Sequence, residues 1–328
     1  MKAIRRFAKI AYAYTLGRTS AQPSTADFWY RQAYARVTDE ASLARYRAGG
    51  SPWPEYLFDQ TVKLGYRMVG EDGVPILCYG PPIGDQVNPE AAFQYILGLA
   101  DQARTTGSEA DRARFLTATD AMLATQTPEG GYPYHFDYFD CKSGWTSALA
   151  QARGVSVMLR AWKATGDDKY LDSAQRAIAL FDVPVSEGGY LAIFEPEQCP
   201  FFEEYPEMNS VVMNGFLSTA FGLWELAEWA NDEKAARLLE LALDSLEKML
   251  PHFVHDGWTV YDLRPGETRP NPHSAFYHVM VVEYMKVLSV IAPRPAFSKI
   301  LAEWQAMDTR ANRIKATFRK ILFKVAVR

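Results

Sequence analysis

Four segments of similar character recur along this chain: EDGVPILCYG from residue 71, EGGYPYHFDYFD from 129, EGGYLAIFEPEQ from 187 and HDGWTVYDLRPG from 255. Each sets an acid beside glycine and continues in alternating apolar and aromatic residues, the pattern of a short β-hairpin. Gly73, Gly131, Gly189 and Gly257 fall at intervals of 58, 58 and 68 residues. Intervals of this size mark a repeated supersecondary unit rather than scattered turns.

Between these segments apolar residues recur at helical spacing, in pairs: 88–104 with 108–126, 144–165 with 168–181, 209–231 with 232–250, and 273–291 with 295–308. The unit is therefore a hairpin followed by two helices. Long aromatic connections at one end of every pair favour a closed ring of inner and outer helices over an open solenoid. The expected fold is mainly α, a complete or incomplete α/α toroid with short β-hairpins on one rim. Residues 1–70 are less regular, with helical stretches near 25–47 and 55–66, and are expected as an N-terminal extension packing on the ring. Residues 71–308 form the toroid and 309–328 a separate basic amphipathic helix; no glycine- and serine-rich linker divides the chain.

At 328 residues and 48% hydrophobic content the chain can bury a sizeable core. A net charge of -4, with neither a zinc-finger spacing nor a phosphate-cradling glycine loop, argues against nucleic acid. Cys78, Cys141 and Cys199 are few, odd in number and widely spaced, which suits a reducing compartment. No apolar run approaches the roughly 20 residues of a spanning helix, and the basic N-terminus lacks a signal-like apolar stretch. A cytoplasmic location is expected. The last segment, RANRIKATFRKILFKVAVR, has seven bases and no acid, with Ile314, Phe318, Ile321, Leu322 and Val325 on one helical face. Such a helix can dock on the domain with its basic face solvated, or lie on an anionic membrane surface.

The rim segments hold most of the unusual chemistry: Tyr132, Tyr134, His135 and Tyr138; Glu203, Glu204 and Tyr205; Tyr261, Asp262 and Arg264; then Tyr277 and His278. One tyrosine is usually packing, but aromatic rings repeated in equivalent loops suit the flat faces of sugars. His278, near the start of a helix, is as well explained by a structural hydrogen bond as by ligand contact. No spacing calls for a metal or other cofactor.

At these residues the chain resembles a known family. GWTSALAQARGVSVMLRAW, EEYPEMNSVVMNGF, YDLR and a downstream tyrosine followed by histidine occur in the order found in the helical domain of the D-glucuronyl C5-epimerases, over about residues 128–308. The resemblance implies an α/α toroid that turns glucuronic into iduronic acid within heparan-type polymers. It implicates Glu204, Tyr205, Tyr261 and Tyr277 as active-site positions and Arg264 as the family's arginine. Asn214, Trp145 and Gln151 lie in the matched motifs and join Tyr134 and His278 as expected substrate contacts. Animal members carry a β-rich region and a membrane anchor ahead of this domain; residues 1–70 are a short, different stretch.

C5 of a uronate is weakly acidic while its carboxylate is fully charged, so Arg264 or phenol hydroxyls must neutralise that charge. Inversion then needs proton transfer on both faces, for which Glu204 and Tyr277 are the expected opposed pair, with Tyr205 and Tyr261 orienting substrate or relaying a proton. Burial should raise the glutamate pKa and cations should lower those of the tyrosines. Competing readings are a uronate lyase, a glycoside hydrolase with a remote second carboxylate, and a non-catalytic carbohydrate-binding ring. The expected partner is a glucuronate-containing polysaccharide, with a membrane surface or a second copy of the chain as further candidates. Glu203 reads as a surface or supporting acid.

Overall fold

A computed structural model describes residues 32–48, 53–267 and 269–326. Ten helices are present among them: α1 Glu40–Arg47, α2 Pro89–Thr106, α3 Glu109–Ala124, α4 Ala148–Thr165, α5 Asp168–Ala177, α6 Met213–Ala230, α7 Glu233–Met249, α8 Ala275–Ile291, α9 Pro295–Met307 and α10 Arg310–Ala326. The eight helices α2 to α9 are the four pairs expected from periodicity. Their starts follow local chemistry: Asn88, Ser108, Asp232 and Ser274 each accept a hydrogen bond from a first-turn backbone N–H, and Gly107 and Gly166 end α2 and α4 in the left-handed conformation.

Within each pair the two helices pack on each other, and across pairs α2 packs on α4, α4 on α6 and α6 on α8. These four are the inner ring, and α3, α5, α7 and α9 lie outside. The fold is the expected α/α toroid. Gly222 of α6 permits a close approach to α4, since a Cβ there would stand 2.2 Å from the Ala152 carbonyl oxygen.

The N-terminal part closes the ring with far less helix than expected. Residues 25–31 lie outside the described residues; of 32–47 only α1 is helical, and 55–66 contains a single 3₁₀ turn, Thr61–Lys63. Extended backbone here lets Tyr56, Leu57 and Phe58 bury fully between the inner helices, where Phe58 meets Phe221 and Tyr284. Buried charge ties the same seam. Arg153 of α4 reaches Glu90 of α2 at 3.1 Å, the Tyr56 hydroxyl at 2.9 Å and that of Tyr284 at 2.7 Å. Arg160 makes a bidentate pair with Glu225 at 2.8 and 3.1 Å, and Tyr46 donates to the same carboxylate.

Three short hairpins stand at one end of the ring: β1 Ile76–Cys78 with β2 Asp85–Val87, β3 Leu191–Phe194 with β4 Cys199–Phe202, and β5 Val254–His255 with β6 Trp258–Thr259. The segment at 129 forms only an isolated bridge, Tyr138 to Cys141, because its aromatic side chains pack in a cluster of their own. α10 lies against α8. It docks by Ala316, Lys320, Ile321 and Phe323, so four of the five residues of the expected core-facing stripe, all but Ile321, face outward. No helix among the described residues is long and apolar enough to cross a membrane.

Candidate active site

The EEYP loop leaves β4 and reaches α6 through residues 203–212. Its order comes from Glu203, which is buried: Oε1 accepts from the Ser210 hydroxyl at 3.1 Å and Oε2 from the Val211 N–H at 3.2 Å. Glu203 is thus a supporting acid and not a surface one. The loop needs the support, because Asn209 and the β-branched Val211 both have positive φ, 46° and 45°. α6 starts at Met213 rather than near Asn209, and the Met213 N–H bonds to the Tyr261 carbonyl at 3.1 Å in place of a side-chain cap. That bond fixes the YDLR segment against the EEYP loop.

Two adjoining cavities result. The larger, about 330 Å³, is lined by Tyr205, Tyr261, Tyr277, Arg264 and, from α10, Lys320 and Lys324. Its lining contains three cations and no carboxylate. Tyr261 and Tyr277 meet edge to face at 5.6 Å. The smaller, about 90 Å³, holds Glu204 and Glu90 among Tyr79, Tyr134 and Trp145. Tyr138 and Tyr205 line both spaces and stand between them. Glu204 and Tyr277 therefore do not face each other across one space; Tyr205 and Tyr138 separate the Glu204 cavity from the one Tyr277 lines.

Glu204 lies against the first turn of α6, where a Cβ on Gly215 would stand 2.2 Å from its Oε2. A helix N-terminus favours the charged carboxylate by about 0.3–1 kcal/mol. Burial outweighs it, pushing the pKa up to about 8 with help from Glu90, Glu203 and Asp262 while the Tyr205 phenol draws it down. Glu203 is likewise raised by burial, to about 7. The expected lowering of the tyrosines is overturned: burial first, then the Glu204 charge, hold Tyr205 and Tyr261 well above the ordinary phenol range. Arg264 is held by Asp262, its Nε donating to Oδ2 at 2.8 Å.

Other expected contacts are redistributed. Tyr134 and Trp145 stack at 3.8 Å and line the smaller cavity. Gln151 is buried away from both, its amide spent on Tyr132 N–H and on the Gly130 and Ala177 carbonyls. His278 is also a structural residue and not a ligand contact: its ring stacks on Trp258, and its nitrogens engage the Thr259 hydroxyl and the Trp304 carbonyl at 2.8 and 3.1 Å. Burial drives its pKa down to about 4, so it is neutral. Asn214 lines neither cavity, and its buried Oδ1 has no hydrogen-bond partner. Sequence reading missed Glu90, which looks like an ordinary first-turn acid of α2, and Lys320, which looks like one base among many. The signal for Lys320 was its position: at helical spacing it falls with Ala316 and Phe323, on the face opposite the apolar stripe.

The fold and these cavities define an α/α-toroid protein whose hairpin rim carries a phenol-rich, cation-lined site beside two buried carboxyls. Residues 126–306 match the family described as D-glucuronyl C5-epimerase C-terminus, and the chain belongs to that family. The D-glucuronyl C5-epimerase of Caenorhabditis elegans is 34% identical over 211 residues, 58% of this chain and 34% of that protein, so the match spans about a third of the nematode protein's length. Among solved structures, the GH76A α-1,6-mannanase from Salegentibacter sp. HEL1_6 superposes with a TM-score of 0.50 at 12% identity, covering 76% of this chain and 67% of that one. Cellobiose 2-epimerase from Bacillus thermoamylovorans B4167 does so with a TM-score of 0.50 at 11% identity, covering 93% and 74%. These two are likenesses of fold.

Proposed function

We propose that this protein is a glucuronyl C5-epimerase that inverts C5 of glucuronate residues within a heparosan-like polysaccharide. The observation that carries the reading is the larger cavity, where four phenols, Tyr138, Tyr205, Tyr261 and Tyr277, and three cations meet with no carboxylate in the lining. An anionic sugar fits such a lining, with its carboxylate on the cations and its ring against phenol faces. A third cavity, of about 540 Å³, shares Arg264 with this one, which suits a chain longer than one sugar.

The cations stabilise the enolate-like charge that develops as the C5 proton leaves. Tyr277 serves one face of the sugar. On the other, Tyr205 passes its hydroxyl proton to the ionised form of Glu204 as it receives one from C5. Tyr277 gives its hydroxyl proton to C5 from the opposite face, and solvent then takes the proton from Glu204 and returns one to Tyr277; a carboxyl with a pKa raised to about 8 supplies both its forms near neutral pH. Reprotonation from the opposite face leaves the glycosidic bond intact, and no electrons are transferred overall. Tyr261, edge-on to Tyr277, orients the ring.

Incubation with heparosan in deuterated water, followed by NMR at C5, tests the assignment. Tyr277→Phe and Glu204→Gln should each lose deuterium incorporation by about a hundredfold or more, the scale of general acid–base catalysis. Full exchange by both variants would remove these residues from the reaction.

A further inference from the structure

Lys320 is a buried cation without an anion. It is 7% exposed, its Nζ donates to Asn271 Oδ1 at 2.6 Å, and it stands 5.5 Å from the centre of the Tyr261 ring. Buried ammonium groups are ordinarily paired with carboxylates, and no acid lies within ion-pair distance of this one among the described residues. Asn271 in turn donates to Asp262 Oδ1 at 2.9 Å, and Asp262 Oδ2 accepts from Arg264. One carboxylate thus organises two cations, Arg264 directly and Lys320 through Asn271. One positive charge remains uncompensated at the wall of the larger cavity.

We propose that Lys320 binds the carboxylate of the sugar whose C5 reacts, so that Arg264 and Lys320 form a two-cation clamp held in register by Asp262 and Asn271. This rests on the epimerase reading and extends it to a residue of α10, beyond the matched residues 126–306. The C-terminal helix is then a wall of the binding site and not an appendage to it. Burial, then Lys324 and Arg264, draw the Lys320 pKa down to about 7, against the opposing pull of Asp262; Tyr261 and His273 face the same group. Lys320 in the unliganded clamp therefore loses its charge as pH rises through about 7, and the affinity for an anionic sugar should fall with it.

The test is binding of a heparosan oligosaccharide by calorimetry, alongside C5 exchange and melting temperature, for wild type, Lys320→Met and Lys320→Arg. Lys320→Met should weaken binding by about tenfold or more, the range of a charged hydrogen bond, without loss of fold. Lys320→Arg should restore most of the affinity and abolish its decline above pH 7. Unchanged affinity in the Met variant, or an unchanged pH profile in the Arg variant, overturns the clamp. An Arg variant that binds but no longer exchanges makes Lys320 a proton carrier instead and also overturns it. If the wild type exchanges no glucuronate polymer, the epimerase reading fails, separately from these comparisons.

The outer face of α10 is independent of this. Ile314, Phe318 and Leu322 are 63%, 58% and 47% exposed, a continuous apolar stripe with Lys315 on one flank and Arg310 on the other, while Arg319 and Arg313 beside them pair with Asp256 and Asp308. α10 contains no acid, and the first nineteen residues of the chain are also basic without an acid. Another basic segment is a poor cover for such a face, and so is a second copy of α10. We infer that the stripe lies in the interface of an anionic membrane. The protein should sediment with phosphatidylglycerol vesicles, not with phosphatidylcholine vesicles, and should be released by salt. Ile314→Glu with Phe318→Glu should reduce sedimentation about tenfold and leave exchange on a short soluble substrate unchanged. No sedimentation of the wild type, an unaffected double variant, or a dimer that the double variant dissolves would each overturn the assignment.

Discussion

Glu204 shows how a single residue's surroundings set its chemistry. Its carboxyl occupies the space that any side chain at position 215 would need, so the glycine of VVMNGF is tied to proton transfer rather than to a turn. Gly215→Ala should push the carboxyl away from Tyr205 and lower kcat by about a hundredfold, the effect of a displacement near 1 Å, with KM little changed. Steady-state rates of C5 exchange check this, and a variant with normal kcat would show that the carboxyl need not sit where it does. The acid and phenols at these positions are legible in the sequence by type and order. Their pKa shifts are not, because burial acts on carboxyl and phenol alike and here outweighs the nearby cations.

At the level of elements, the eight toroid helices announce themselves through 3.6-residue periodicity, with caps such as Asn88, Ser108 and Asp232 marking starts. The start of α6 was misread because Asn209 and Ser210 resemble a cap, whereas the loop spends four more residues reaching Tyr261. The extended stretch at 55–60, expected as the start of a helix over 55–66, differs for the opposite reason. Its aromatic residues fit a helical pattern, but the ring interior takes them as a buried strand-like insert. α10 shows a third failure: amphipathicity identifies the helix and leaves open which face docks. Glu203 is the element-scale test of the rim. Glu203→Ala strands the Ser210 hydroxyl and Val211 N–H, and should cost about 1–3 kcal/mol in urea unfolding. It should also accelerate amide exchange at Val211, whose positive φ would then lose its tether. Protection equal to wild type would mean that the loop holds itself.

For the whole molecule, the seam that the N-terminal part closes is held by buried charge as well as apolar surface. Arg160 and Glu225 are both fully buried, so Glu225→Ala should leave an unpaired guanidinium and destabilise the fold by about 3–5 kcal/mol by chemical denaturation. A loss below about 1 kcal/mol would mean that the Ser156 and Glu55 carbonyls suffice to hold Arg160. Above this frame the hairpins, the EEYP loop and α10 converge on one rim, which brings residues from distant parts of the chain around a single cation-lined space. The measurement that bears most directly on its purpose is the fate of C5 in a glucuronate polymer incubated with the wild-type protein in deuterated water. Epimerisation requires deuterium at C5 and iduronate signals in the NMR spectrum, with chain length unchanged and no ultraviolet-absorbing ends. Unsaturated ends or new reducing ends, or a polymer recovered without deuterium, would contradict it.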